Sequence, residues 1–177
     1  MYYKMIYKSE IGNITLIASK NGLAYLFFDG QKYVEQLLTK EEIVEDEEFP
    51  ILVKVKKWLD DYFNHLIPNS KDIPIELLGS QFQKEVWLIL MQVPYGKTIT
   101  YTDIAKEIAQ KYGTQKMSAQ AVGGAIAHNK IAILIPCHRV IGKNGSLTGY
   151  AGGLDKKLFL LHHEGINIKN NFLSKNK

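Results

Sequence analysis

The chain has 177 residues, of which 46% are hydrophobic, and a formal net charge of +4 at pH 7; that is material for one medium domain or two small ones, each with a modest core. No uninterrupted apolar run approaches the ~18 residues of a membrane span, and the opening MYYKMIYKSE alternates tyrosine and lysine where a secretory signal would be apolar, so a soluble, intracellular (cytoplasmic) protein is expected. A single cysteine, Cys137, excludes an internal disulfide and any paired-cysteine zinc or redox motif, and leaves a free thiol in what reads as a reducing compartment.

The charge is unevenly spread. Residues 1–77 carry nine lysines against thirteen acids, net −4, while residues 78–177 carry twelve lysines and one arginine against five acids, net +8. The acidic share gathers in KEEIVEDEEF (40–49), which reads as a solvated loop or helix face. The basic half has the sign of a surface that faces polyanions, although lysine used only for solubility would look the same.

In chain order, MYYKMIYKSEIGNITLIASKNGLAYLFFDG shows apolar runs rich in Ile, Tyr and Phe, punctuated by Gly12-Asn13 and Asn21-Gly22, the pattern of short strands joined by hairpin turns. PILVKVKKWLDDYFNHL (50–66) places Ile51, Val55, Leu59 and Phe63 at four-residue steps behind Pro50, which predicts an amphipathic helix with a first-turn proline. IPNSKDIP (67–74) reads as a linker, and the domain boundary is placed there: a small domain over 1–74 and a second over 75–177.

Beyond the linker the pattern becomes helical. SQFQKEVWLILMQV (80–93) opens on a capping-box pair, Ser80 and Gln83, and sets Phe82, Val86, Ile89 and Leu90 on one face before Pro94 and Gly96. TYTDIAKEIAQKYG (100–113) has Thr100 as N-cap, Asp103 at the third helical position, Ile104 and Ile108 inward and Gly113 as the stop. SAQAVGGAIAHN (118–129) starts at another cap, Ser118, and the two short helices predict a helix-turn-helix.

The second of these helices is unusual. Gly123 and Gly124 together cost about 2 kcal/mol relative to alanine, and Ala119, Ala121, Ala125 and Ala127 add little bulk. Something must approach this backbone closely, either another helix of the same chain or a nucleic-acid groove; a steep salt dependence of binding would mark the groove.

IAILIP (131–136) reads as a buried strand halted by Pro136, so Cys137 is expected where that strand leaves the core. GKNGSLTGYAGG (142–153) holds five glycines in twelve residues; it fits neither a phosphate loop nor GxGxxG and reads as a flexible wall against a planar ligand. In LDKKLFLLHHEG (154–165), Leu154, Leu158 and Leu161 form the expected stripe, and Glu164 falls in the last turn, where the helix dipole disfavours an anion. A carboxylate there calls for a partner elsewhere.

Cys137, His138 and Glu164 have the residue types of an activated thiol: a base to take its proton and a carboxylate to orient that base. Neighbouring side chains of an extended strand point to opposite faces, however, so Cys137 and His138 cooperate only if the chain turns there or a water bridges them. A Cys-His-Glu hydrolase is one reading of this set.

PCHRV, with AVGGAIAHN before it and GYAGG and LLHHEG after it, closely resembles the O6-alkylguanine-DNA alkyltransferases (methylated-DNA–protein-cysteine methyltransferases), from about Gln81 to Gly165. The resemblance implies a small ribonuclease H-like α/β domain with an antiparallel sheet and a helix, followed by a mostly helical domain with a winged helix-turn-helix character. It further implies direct, irreversible transfer of an alkyl group from O6-methylguanine in double-stranded DNA, with O4-methylthymine an open second substrate, by a monomer that acts once, needs no cofactor and holds no metal. Cys137 would be the acceptor, His138 the base acting through a water, Glu164 its orienting carboxylate, and Tyr101 the residue that rotates the flipped nucleotide's phosphate and donates a proton to the base. The carbonyls of Cys137 and Val140 and the Ala151 N–H would meet the guanine, Pro136 and Tyr150 would line its pocket, and Asn129 would tie the recognition helix to the turn. Ser118, Ala119, Gln120, Ala121 and Gly123, with Thr102 and Arg139, would face DNA in the minor groove. Family members often carry an arginine finger where this chain has Gln120; Arg139 is the only arginine, so Gln120 is expected to intercalate as a shorter, uncharged wedge. A damage sensor that binds without repairing is the further alternative, although such proteins replace the acceptor cysteine that is present here.

Overall fold

The protein is described from a computed structural model covering residues 1–33 and 42–168. Its compact units are Met1–Leu78 together with Lys130–Leu134, and Gly79–Asn129 together with the chain from Ile135 onward. Among the described residues no helix is long and apolar enough to cross a membrane.

The first unit is built on a meander: β1 (Tyr2–Ser9), β2 (Gly12–Ser19) and β3 (Gly22–Phe28). The hairpins turn at the two predicted sites, where Gly12 and Gly22 both have positive φ. A fourth strand, β4 (Ile43–Glu45), lies parallel to the edge of β1, giving the order β3-β2-β1-β4 and a mixed sheet. Of the acidic stretch, residues 40 and 41 lie outside the described residues, and the remainder forms β4 and the approach to α1 (Pro50–Phe63).

The buried face of α1 is Leu52, Val55, Trp58, Leu59 and Tyr62. Ile51 and Phe63, the ends of the predicted stripe, are only partly buried. Steps of four residues drift by about 40° each around a helix of 3.6 residues per turn, so a stripe drawn that way leaves the core at both ends. Residues 74–76 still belong to this unit: Leu23 N–H donates to the Pro74 carbonyl (2.8 Å) and Glu76 N–H to that of Leu23 (2.9 Å), while Ser19 and Asn21 hold the Glu76 carboxylate.

The stretch read as a buried strand at 131–136 is buried but is not a strand. Ile131 makes one bridge to Leu26, Leu134 N–H donates back to the Ala132 carbonyl (2.8 Å), and Ile133 between them has φ 67. A β-branched residue in the left-handed region is strained, and such a backbone persists only where its surroundings hold it.

In the second unit, α2 (Gln81–Leu90) and α3 (Tyr101–Tyr112) both carry complete capping boxes, Ser80 with Gln83 and Thr100 with Asp103. Each box satisfies two backbone donors that the helix start leaves open, worth about 1 kcal/mol by its cap alone. Gly113 ends α3 in the left-handed conformation and Ser118 caps α4 (Ala119–Ala127). The core joins Val86, Trp87 and Leu90 of α2 to Ile104 and Ile108 of α3 and Val122 and Ile126 of α4, and Trp87 Nε1 donates to the Ala125 carbonyl at 2.9 Å. Phe82 and Ile89 are only partly buried. In α5 (Leu154–His163) the buried residues are Lys157, Leu160 and Leu161, so the inward face is rotated from the predicted leucine stripe.

Candidate active site and nucleic-acid interface

The site is assembled by a turn instead of a strand end. Pro136, at φ −79 and ψ 64, sits at the centre of an inverse γ-turn closed by Cys137 N–H and the Ile135 carbonyl (2.7 Å). Cys137–Arg139 then forms one turn of 3-10 helix, and β6 (Val140–Ile141) pairs in parallel with β5 (Ile99–Thr100). Since β5 runs directly into α3, this pairing brings Tyr101 to the side of the turn that holds Cys137. The chain therefore turns at the thiol, as cooperation between adjacent side chains requires.

Cys137 is 6% exposed. Burial pushes its thiol pKa up, opposed chiefly by the Asn129 amide, which donates to Sγ at 3.0 Å, and by the Lys157 ammonium. The thiol therefore rests protonated, among donors that favour its anion once the proton leaves. Asn129 Nδ2 also donates to the Ile135 carbonyl (2.8 Å), which fixes the amide between the end of α4 and the γ-turn.

His138 and Glu164 are completely buried as side chains, and His138 Nε2 lies 2.6 Å from Glu164 Oε1. Burial pulls the His138 pKa down, so its ring is neutral. Burial alone would raise the pKa of Glu164, but hydrogen bonds and charge from His138 and Arg139 hold the carboxyl far below the ordinary carboxylate range. An ionised carboxylate only accepts, so Nε2 carries the imidazole hydrogen and Nδ1 is the basic nitrogen. Nδ1 is buried and makes no hydrogen bond to the described protein.

The misplaced charge of Glu164 has its partners. Arg139 Nε donates to Oε2 (2.8 Å) and Nη2 to Oε1 (2.9 Å), a bidentate pair, and Gly96 N–H donates to Oε2 (3.1 Å). Arg139 Nη1 donates to the Val93 carbonyl at 2.6 Å. This corrects the reading of Arg139 as a DNA contact: its donors serve a buried carboxylate, and its side chain is 10% exposed.

Lys157 was missed by sequence reasoning, which reads lysine as solvated. It has no exposed surface; burial lowers its pKa to about 8, and Nζ donates to the Gly149 carbonyl at 3.3 Å. The available signal was its position seven residues before Glu164, hence on the same helix face.

At the start of α3 and along α4, Thr102, Ser118, Ala119, Gln120 and Ala121 are exposed and Gly123 is partly buried. The glycines are not there for internal packing. A Cβ at Gly124 would meet nothing within 4 Å, and one at Gly123 only the Tyr101 ring at 3.9 Å, an ordinary contact, among the described residues. Among the described residues, no neighbouring helix packs tightly against these two glycines. Pro136 and Val140 are buried beside Cys137, while Tyr150 and Ala151 are partly exposed.

Comparison with known proteins decides the family. The DNA binding domain of 6-O-methylguanine DNA methyltransferase matches residues 81–166, and its ribonuclease-like domain matches residues 1–77. The chain belongs to the 6-O-methylguanine DNA methyltransferase family. Among its relatives, the methylated-DNA–protein-cysteine methyltransferase of Methanosarcina acetivorans is 46% identical over 93% of this chain and 99% of its own length. That of Haemophilus influenzae is 32% identical over 93% of this chain and 87% of its own. Mycobacterium tuberculosis OGT, solved in complex with DNA, is 36% identical with a TM-score of 0.74 over 92% of this chain and 91% of its own. The fold expected from the resemblance, a small sheet domain and a helical DNA-binding domain, is the fold of this family, with a parallel edge strand added to the antiparallel meander.

Proposed function

We propose that Cys137 is the acceptor in a single irreversible transfer of an alkyl group from O6-alkylguanine, extruded from double-stranded DNA, and that His138, Glu164 and Tyr101 prepare both partners. The observation that carries this is the buried thiol held among donors, Asn129 at 3.0 Å and the Lys157 charge, next to a neutral histidine fixed by a carboxylate. The protein would act inside the cell, where its lone thiol stays reduced.

The thiol proton passes through a bridging water to His138 Nδ1. Glu164, held ionised by Arg139, stabilises the imidazolium that forms. The thiolate then attacks the alkyl carbon, an S–C bond replaces the C–O6 bond, and the electron pair stays on the guanine. Tyr101 donates a proton to the departing base, and the proton balance closes through the imidazolium. The carbonyls of Cys137 and Val140 and the Ala151 N–H would grip the base edge, with Pro136 and Tyr150 as walls. The product is a thioether, for which the site provides no leaving path. Intact-mass and peptide spectrometry after mixing with a duplex containing O6-methylguanine should show one methyl on the Cys137 peptide, mole for mole with restored guanine. Tight binding without that gain would make the chain a damage sensor.

α4 would enter the minor groove with Ser118, Ala119, Gln120, Ala121 and Gly123, supported by Thr102, and Gln120 would fill the space that the extruded base leaves. Extrusion costs a few kcal/mol of unstacking, least at a weakened pair, which contributes to selectivity. Gln120→Ala is expected to weaken binding to the damaged duplex about three- to tenfold and to slow repair. Unchanged affinity and repair rate would remove Gln120 from this role.

A further inference from the structure

We infer that residues 148–150 form a latch that withholds Cys137 from alkyl donors not carried on an extruded base, and that the Tyr101 hydroxyl is the switch. The inference rests on reading Cys137 as the alkyl acceptor. The hydroxyl that this reading assigns to the incoming base donates, in the protein alone, to the Thr148 carbonyl at 2.9 Å. One residue further on, Lys157 Nζ holds the Gly149 carbonyl at 3.3 Å. The next residue, Tyr150, is half-buried at the same site. Two successive residues of one loop are thus attached to the two sides of the site by their carbonyls.

The loop is built to hold and to release. Leu147 is fully buried and anchors one end, whereas Thr148 and Gly149 are exposed. Gly149 (φ 66) within the latch and Gly153 (φ 100) just beyond it are in the left-handed region, which lets the backbone change direction at both points. A tyrosine hydroxyl has one hydrogen to donate. An acceptor on the extruded base and the Thr148 carbonyl therefore compete for it, and seating the base releases the carbonyl. A small soluble electrophile brings no such acceptor and meets the closed loop, with Cys137 only 6% exposed. Selectivity for alkyl groups presented on DNA is then partly a property of this contact.

Two measurements test it, alongside the methyl-transfer assay. In the first, iodoacetamide alkylates Cys137 without DNA, the thiolate displacing iodide while the thiol proton goes to solvent. Tyr101→Phe, which removes only the hydroxyl, should react about three- to tenfold faster than the natural chain, the range of one ordinary hydrogen bond. Hydrogen exchange over residues 143–152 should rise with it while α3 stays protected. The second measurement survives a misfolded variant. Thr148-Gly149 is the only Thr-Gly step in the chain, so carbonyl-13C threonine with 15N glycine labels a single peptide bond. In Cys137→Ser, which cannot complete transfer, that carbonyl resonance should move on adding the O6-methylguanine duplex and stay in place with undamaged duplex. Equal iodoacetamide rates, or an unmoved carbonyl, would overturn the latch. If the natural chain takes no methyl from the duplex, it is the acceptor reading that fails; if it does, these results bear on the latch alone.

Discussion

A chain with alanine at both positions 123 and 124 is expected to be more stable than the natural protein and worse at binding DNA. Each glycine inside a helix costs roughly 0.5–1 kcal/mol relative to alanine, through the backbone freedom lost on folding. Neither residue has positive φ, and the added methyl groups find open space or an ordinary contact with the Tyr101 ring. The pair should therefore add about 1–2 kcal/mol, or roughly 3–6 °C of melting temperature for a chain of this size. The same methyls would stand between α4 and the floor of a groove that the natural helix approaches by its backbone. Overpacking a close contact costs about 1–3 kcal/mol, so affinity for the damaged duplex should fall on the order of tenfold or more. Thermal unfolding and fluorescence anisotropy on the same samples separate the cases. Higher stability with undiminished affinity would show that DNA does not come close to α4, and lower stability would show that the glycines serve the fold after all.

What could be read in advance divides by the range of the interactions involved. The capping boxes at Ser80–Gln83 and Thr100–Asp103 and the hairpin turns at Gly12 and Gly22 are settled within four residues, so the sequence alone locates them. Glu164 announced a distant partner because its charge opposes the helix dipole. The partner could not be named from that argument: Arg139 is 25 positions away, and a basic residue in a DNA-binding chain invites the opposite assignment, outward to phosphate. The run 131–136 misleads for a related reason. Its apolar composition reports burial correctly, but the positive φ at Ile133 and the γ-turn at Pro136 are imposed by what surrounds them. Lys157 was hidden by residue type, since lysine is almost never fully buried without a compensating reason. That reason, a carbonyl at 3.3 Å and a thiol whose anion it favours, exists only once α5 and the glycine-rich loop are folded.

Glu164→Gln is expected to destabilise the protein by about 3–5 kcal/mol near neutral pH, because it leaves the Arg139 guanidinium buried without its counter-charge. Glutamine could keep the shape of the carboxylate but not its charge, and its amide nitrogen would face one of the donors of Arg139, His138 or Gly96, all of which now point at acceptor oxygens. The deficit should depend on pH with a definite sign. Glu164 has a folded pKa far below its unfolded value of about 4.3. Its contribution is therefore complete above that value and is lost as pH falls below it, by about 1.4 kcal/mol per pH unit. The substituted amide does not titrate, so the gap between the two proteins should not narrow from pH 8 to about 5, and the carboxyl's protonation should narrow it below pH 4. His138, kept neutral by burial, adds a loss of its own below its unfolded value of about 6.5. Because Glu164 favours the imidazolium, that loss runs on to lower pH in Glu164→Gln than in the natural chain, so it works against any narrowing of the gap. Urea unfolding of the two chains between pH 8 and pH 3 gives the curve directly. A gap that narrows already between pH 7 and 5 would mean that the buried carboxyl titrates near the ordinary range, and the proposed stabilisation of the His138 imidazolium by a permanently ionised Glu164 would have to be abandoned.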